Sequence, residues 1–342
     1  VGEARVKENQ FMKKIIILML LLATIGQVFA SNSAVFIMYH RVGDGRYPTT
    51  NVTVEQFTEE MQYLHDQHYN VLPMPEIIAK LKNGQALPEK TIGISFDDAF
   101  DTVYNTAWPI LKKYHYPITL FVATEPVDKN FKGMMTWAQI KELAGQGVTI
   151  GDHTVTHAHL ATANAVTLEK EIMTAKERIY QETGQQAVLF AYPFGEYSLN
   201  FPQLLAKLGF LAAFTQITGA VNAQSDFYLL PRIPLNQHYA DLTRFKQLLQ
   251  IRPLLISDLI PAEPVLQQNP PVISFKLVDT NINVQRVNCY DASGGVLQLD
   301  KTHAPRITLS FNKVLPAGRT RINCTALDKN GSWHWAGFLY IT

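Results

Sequence analysis

From residue 35 to about 250, short apolar runs alternate with stretches whose apolar residues recur at three- and four-residue spacing. Residues 35–39, 91–96, 118–123, 148–150, 188–192, 210–214 and 229–233 read as strands. Residues 55–68, with Phe57, Met61 and Leu64 at helical spacing, read as a helix. So do 102–114, 136–144, 166–184, 202–208 and 242–250, with Pro109 expected to kink or restart the first of these. This βα alternation predicts a parallel sheet, open or closed into a barrel.

The pattern changes after residue 260. Pro261, Pro264, Pro270 and Pro271 mark a linker over 261–271, which ends an α/β domain of residues 31–260. Strand-like pieces follow at 272–278, 283–290, 295–299, 306–311, 319–326 and 333–341. The turn chemistry of Asp-Ala-Ser-Gly-Gly at 291–295 and Asp-Lys-Asn-Gly at 328–331 lies between them. Residues 272–342 are expected to form a small all-β sandwich. Trp333, Trp335, Leu339 and Ile341 fall on one face of its last strand, opposite His334, Phe338 and Tyr340. The tryptophans either stack on sugars or fill the sandwich core.

The chain has 342 residues, 47% hydrophobic and 17% charged, which excludes a disordered or collagen-like protein. Its N-terminus carries a further signal. Met12-Lys13-Lys14 precedes the apolar residues 15–25, and Val28-Phe29-Ala30 supplies a small-x-small site. Residues 1–30 therefore read as a secretory signal peptide, with Met12 as the expected start, and no membrane span is expected after cleavage. Removing them takes out Arg5, Lys7, Lys13 and Lys14 against Glu3 and Glu8, and turns the net charge from +1 to about −1. Neither value suits a nucleic-acid partner. The two cysteines, Cys289 and Cys324, are too few for a four-cysteine zinc site. In an exported chain they are expected to pair, closing a loop worth roughly 3–4 kcal/mol.

Four segments at strand ends, where α/β folds build their sites, carry chemistry. Asp97-Asp98 follows strand 91–96; two adjacent carboxylates favour a cation, one binding it while the other serves as base. His153 and His157 stand four apart, a spacing that faces one metal if the segment coils as a helical turn. With Asp98 they supply three ligands and leave a position open for water. Tyr192-Pro193-Phe194-Gly195 ends a strand in a turn able to present backbone N–H groups. Tyr39-His40 ends the first strand.

Phe-Asp-Asp, His-Thr-x-x-His and Tyr-Pro-Phe-Gly, in this order over residues 34–250, resemble the polysaccharide deacetylases, the NodB-homology carbohydrate esterases. The resemblance implies a distorted (β/α) barrel with fewer than eight regular units. It implies a divalent metal and removal of N-acetyl groups from sugar polymers. Asp97 then matches the general base; Asp98, His153 and His157 match the metal ligands; the Phe194 N–H matches an oxyanion donor. Two departures stand out. Ala191 occupies the position where many members have an arginine, and no late Leu-x-His supplies an acid. Both departures, with Tyr39-His40, are similar to the exported poly-N-acetylglucosamine deacetylase branch. They make His40 the candidate acid and Arg232 the candidate replacement arginine.

The expected protein is thus a metal-dependent hydrolase acting on N-acetylglucosamine units of an extracellular or cell-envelope polysaccharide, located in the periplasm or at the cell surface. Zinc is the first choice of ion, with cobalt, nickel or iron suiting the same ligands. Two alternatives stay open: a peptidoglycan or chito-oligosaccharide N-deacetylase, and a non-catalytic glycan-binding protein on the same fold. Oligomeric state leaves no trace in the sequence.

Overall fold

Side-chain alternation along the strands decides which residues meet inside and which meet the helices. The computed structural model describes Ala30, Ser31 and residues 33–342. Of the signal segment read at residues 1–30, residues 1–29 lie outside the described residues. Six strands lie side by side in parallel: β1 (Ser33–Tyr39), β2 (Thr91–Asp97), β3 (Thr119–Val122), β4 (Thr149–Asp152), β5 (Leu189–Ala191) and β6 (Ala212–Phe214). One further extended segment touches both outer strands. Leu230 bridges in parallel to Phe214 of β6, and β7 (Ile233–Pro234) pairs in parallel with Ile37 and Met38 of β1. The sheet therefore curls into a distorted barrel with a seam at residues 230–234.

Val35, Ile37, Ile92, Ile94, Leu120, Val122 and Ile150 point outward, and pack against Phe57, Met61, Leu64, Leu111, Ile140 and Leu143 of the surrounding helices. The alternate positions point inward, where Phe36, Phe121, Phe214 and Leu230 form a second cluster. Gly93 and Gly151 lie beside Phe36 and Phe121 in register on the neighbouring strands. A Cβ at either glycine would stand 2.5 Å or 2.4 Å from the ring, so only glycine leaves the rings room inside. Helix Met74–Lys82 joins this inner cluster through Ile77, Ile78 and Leu81. It has no counterpart in the sequence reading, and Pro73 and Pro75 mark its start. They occupy the cap and the first turn, where a missing N–H costs nothing. Pro109 acts in the same way, separating a π-helical turn, Val103–Ala107, from helix Trp108–Lys113.

The C-terminal part is a sandwich of two four-stranded sheets. One runs Arg252–Pro253, Trp333–Ile341, Arg319–Leu327, Asn288–Asp291; the other Ile256–Ile260, Val272–Leu277, Arg306–Ser310, Gln298–Asp300. Cys289 and Cys324 face each other in register and form a disulfide. Phe338 and Tyr340 belong to the sandwich core. Trp335 instead packs toward the barrel core, and Trp333 is exposed, so neither tryptophan fills the sandwich. Among the described residues, no helix is long and apolar enough to cross a membrane.

One buried contact ties the first helix to β1, the strand that leads into His40. Tyr39 donates its hydroxyl to Glu60 Oε2 at 2.6 Å, from helix Val54–Asp66. Burial pushes the Glu60 carboxyl up from 4.5 to about 8. The unfolded chain then loses this proton first, so stability falls as pH rises between those values, by at most about 1.4 kcal/mol per pH unit. Glu60→Gln keeps an acceptor for Tyr39 and removes the titration. Urea denaturation at about pH 5 and about pH 8 is expected to show stability falling with pH less steeply in the variant than in wild type.

Candidate active site

Asp97 is the last residue of β2 and continues the inward row of Gly93 and Ser95. Arg232 enters from the seam between Leu230 and Ile233 and meets it head-on. Nη1 donates to Asp97 Oδ1 at 2.6 Å and Nη2 to Oδ2 at 2.8 Å. Nη1 also lies 3.2 Å from Ser95 Oγ, and Nε donates to the Thr215 carbonyl at 3.1 Å. Both side chains are fully buried, and the guanidinium lies beside the rings of Phe121 and Phe214. Burial alone would raise the Asp97 pKa. The adjacent Arg232 charge, with smaller help from His153, outweighs it and holds the carboxyl below its ordinary value. At neutral pH Asp97 is therefore an ionised base with a fixed orientation.

Asp98 leaves the strand with φ +74°, and Ala99 follows at +57°. This left-handed step costs about 1–3 kcal/mol per residue for a non-glycine. It turns the second carboxylate away from Arg232 toward the histidines. Asp98 Oδ1 lies 3.4 Å from His153 Nε2 and 3.2 Å from His157 Nε2. The histidines are not brought together by a helical turn, as their spacing suggests. His153 follows directly on β4, Thr154 and His157 both adopt positive φ, and the His157 N–H donates to Thr154 Oγ1 at 3.1 Å.

His153 Nδ1 lies 2.6 Å from the Ala191 carbonyl, which can only accept, so Nδ1 carries the hydrogen and Nε2 offers a lone pair. Asp98 Oδ1 and His153 Nε2 are buried, and neither has a hydrogen-bond partner among the described residues. One ligand atom from each of Asp98, His153 and His157 lies within 4.8 Å of the others. Orphaned buried acceptors converging on one point fit a bound cation. Burial, then the charge of His153, keeps His157 down at about 4, so its imidazole is neutral and able to ligate at neutral pH. For His153, burial works against the charged form, but Asp98 and Asp97 outweigh it and raise its pKa. The carboxylates thus draw positive charge to the ring.

His40 continues the inward row of β1 and faces the same centre. Burial lowers its pKa, opposed by the charges of Asp98 and Asp97. Phe194 sits at φ +59° in the turn Pro193–Gly195. A Cβ at Gly195, itself at φ +75°, would lie 2.6 Å from the Gln216 nitrogen, which makes glycine obligatory there.

Three residues that sequence reasoning missed brace this turn. The His159 ring stacks on Phe194 with centroids 4.0 Å apart, and its Nδ1 lies 2.8 Å from Glu196 Oε2. Arg319, from the sandwich, donates Nη1 to the Phe194 carbonyl at 2.8 Å, and its Nε lies 3.4 Å from Glu196 Oε1. His159 is visible in sequence only as a histidine outside the ligand spacing. Arg319 lies 125 residues from Phe194 and gives no sequence signal. Cys289 and Cys324 stay within the sandwich core.

Residues 84–213 match the polysaccharide deacetylase family model. A poly-beta-1,6-N-acetyl-D-glucosamine N-deacetylase of Staphylococcus aureus (strain MSSA476) is 26% identical over 234 residues, covering 60% of this chain and 79% of the relative. The Streptococcus pyogenes deacetylase PplD, solved in complex with acetate, superposes with a TM-score of 0.60. It is 26% identical and covers 64% of this chain and 98% of its own. IcaB from Ammonifex degensii shares the fold, with a TM-score of 0.57 and 24% identity over 65% of this chain and 98% of its own.

Removing the guanidinium leaves a buried carboxylate without its partner. Arg232→Met is expected to destabilise the protein by about 3–5 kcal/mol, read from the urea midpoint at neutral pH. A loss under about 1 kcal/mol would mean that the pair does not hold the seam.

Proposed function

We propose that this chain is an exported, metal-dependent N-deacetylase that removes acetyl groups from N-acetylglucosamine units of a cell-envelope polysaccharide, giving acetate and a free amino sugar. The observation that carries the reading is the separate fate of two adjacent carboxylates. Asp97 is held ionised by Arg232, and Asp98 is turned onto two histidines. The similarity to the Staphylococcus aureus enzyme supports the choice of polymer. Arg232 also removes the main motive for a non-catalytic reading, since it orients the base that the Ala191 position cannot.

Asp98, His153 and His157 are the residues that hold the metal, zinc first among the ions that suit two imidazoles and a carboxylate. When bound, a divalent ion there polarises the acetamide carbonyl and lowers the pKa of water toward about 7. The chain's own groups do the rest. Asp97 takes a proton from the attacking water, whose oxygen bonds to the acetamide carbon. The Phe194 N–H donates to the carbonyl oxygen as it gains negative charge, a contribution of about 3 kcal/mol. Its backbone is fixed in place by His159 and Arg319. His40 starts neutral because burial lowers its pKa. The proton it gives to the departing amine is therefore the one Asp97 removed, and the carbon–nitrogen bond breaks with charge balanced.

His157→Ala removes one ligand from a partly exposed position and should leave the fold intact. Metal content by elemental analysis and acetate release from soluble poly-N-acetylglucosamine are both expected to fall at least about 100-fold. Full activity in this variant would remove the site from the reaction. His40→Gln is expected to lower kcat by about 10²–10⁴ with KM little changed, and an unchanged kcat would take His40 out of the mechanism.

A further inference from the structure

We propose that the cleft between the barrel and the sandwich is a second binding site for the acetylated sugar chain, beyond the unit that reacts. This rests on the deacetylase reading for the identity of the chain, and on geometry for the site. Along strand Arg319–Leu327, residues 319, 321, 323 and 325 share one face. Arg319 stands at the Phe194 turn, at the mouth of the active site. Arg321 donates Nη2 to Gln216 Oε1 at 3.0 Å, directly behind Gly195. Asn323 and Thr325 then line a cleft of about 550 Å³. From 319 to 325 the face runs about 20 Å, so one polar row leads from the catalytic turn into the cleft.

The neighbouring strand adds the rings. Trp335 pairs with Thr325 in register, and Trp333 lies two residues before it on the same face. The close approach of Gly337 to Ile217 and Thr218 seats that face against the barrel wall. The opposite side of the cleft carries Tyr239, with the Arg244 guanidinium 5.2 Å from its ring centroid. Trp333 and Tyr239 are 45% and 47% exposed, so both rings are open to a ligand in the cleft.

Arg321 Nε is buried, and has no hydrogen-bond partner among the described residues. It is a donor awaiting an acceptor. The one carboxylate lining the cleft, Asp291, accepts the N–H groups of Ser293 and Gly295 at Oδ1. Rings flanked by amide and guanidinium donors suit a pyranose: the ring faces stack, and the hydroxyl and acetamide oxygens accept. The volume lies within the usual range for small-ligand sites.

Trp333→Ala and Tyr239→Ala truncate exposed rings outside the catalytic machinery, so both variants should fold. The probes are soluble β-1,6-linked poly-N-acetylglucosamine and a dimer of N-acetylglucosamine, measured by calorimetry and by acetate release. Each variant is expected to bind the polymer roughly tenfold more weakly and to show a similar rise in polymer KM. Its kcat, and its turnover of the dimer, should match wild type. Unchanged polymer affinity in both variants overturns the proposal, as does an equal loss on the dimer, which would place the defect in the active site. If wild type releases acetate from neither probe, the deacetylase reading fails. The cleft is then judged by calorimetry alone, where a loss of polymer binding in the variants upholds it and no loss overturns it.

Discussion

The Arg232–Asp97 pair is the interaction on which the catalytic half of this molecule turns. One guanidinium reaches β2 through Asp97 and Ser95, the end of β6 through the Thr215 carbonyl, and the rings of Phe121 and Phe214. It comes from the short segment that bridges the two edges of the curled sheet. A charge in such a place is costly unless paired and hydrogen-bonded on every side, and here both conditions hold. The same pairing sets the chemistry. Without Arg232, burial would drive the Asp97 pKa upward. Closure of the curled sheet and the ionised state of Asp97 thus rest on one interaction.

The second constraint is backbone strain placed at strand ends. Asp98, Thr154, His157 and Phe194 all have positive φ without being glycine. Each lies at or just past the end of a barrel strand, and each aims a group that a regular continuation would point elsewhere. The turn at Asp98 separates two neighbouring carboxylates that would otherwise repel one another in one environment. The strain at Phe194 is supported from outside the barrel, by His159 stacking and by Arg319 of the sandwich. The C-terminal sandwich therefore bears directly on the geometry of the site.

Much of this was legible before the structure. The βα alternation carried the parallel sheet, because apolar runs at strand spacing followed by amphipathic stretches have few other solutions, and the resemblance to the deacetylases implied its closure into a barrel. The cluster of Asp98, His153 and His157 was legible because all three sit in short segments at strand ends. Three things were not. Helix Met74–Lys82 starts at prolines whose effect depends on their position in the first turn. The coiling of residues 153–157 was misjudged, since i, i+4 spacing suggests a helical turn and the backbone instead uses left-handed residues. Arg319 and Glu196 were invisible, because nothing local distinguishes a surface arginine on a strand from one that crosses a domain boundary to a carbonyl. The tryptophans of the last strand were ambiguous for a related reason. Alternation shows that they share a face, and only tertiary packing shows that the face looks onto the barrel.

In the proposed reaction, the orphaned acceptors of Asp98, His153 and His157 hold a metal that deacetylation requires. The most direct test is acetate release from soluble poly-N-acetylglucosamine by wild-type protein, first as purified, then after chelation and dialysis, then after zinc is restored. The account predicts release that disappears on chelation and returns with zinc, while the protein stays folded throughout. Release that persists undiminished in protein shown by elemental analysis to be metal-free would contradict it.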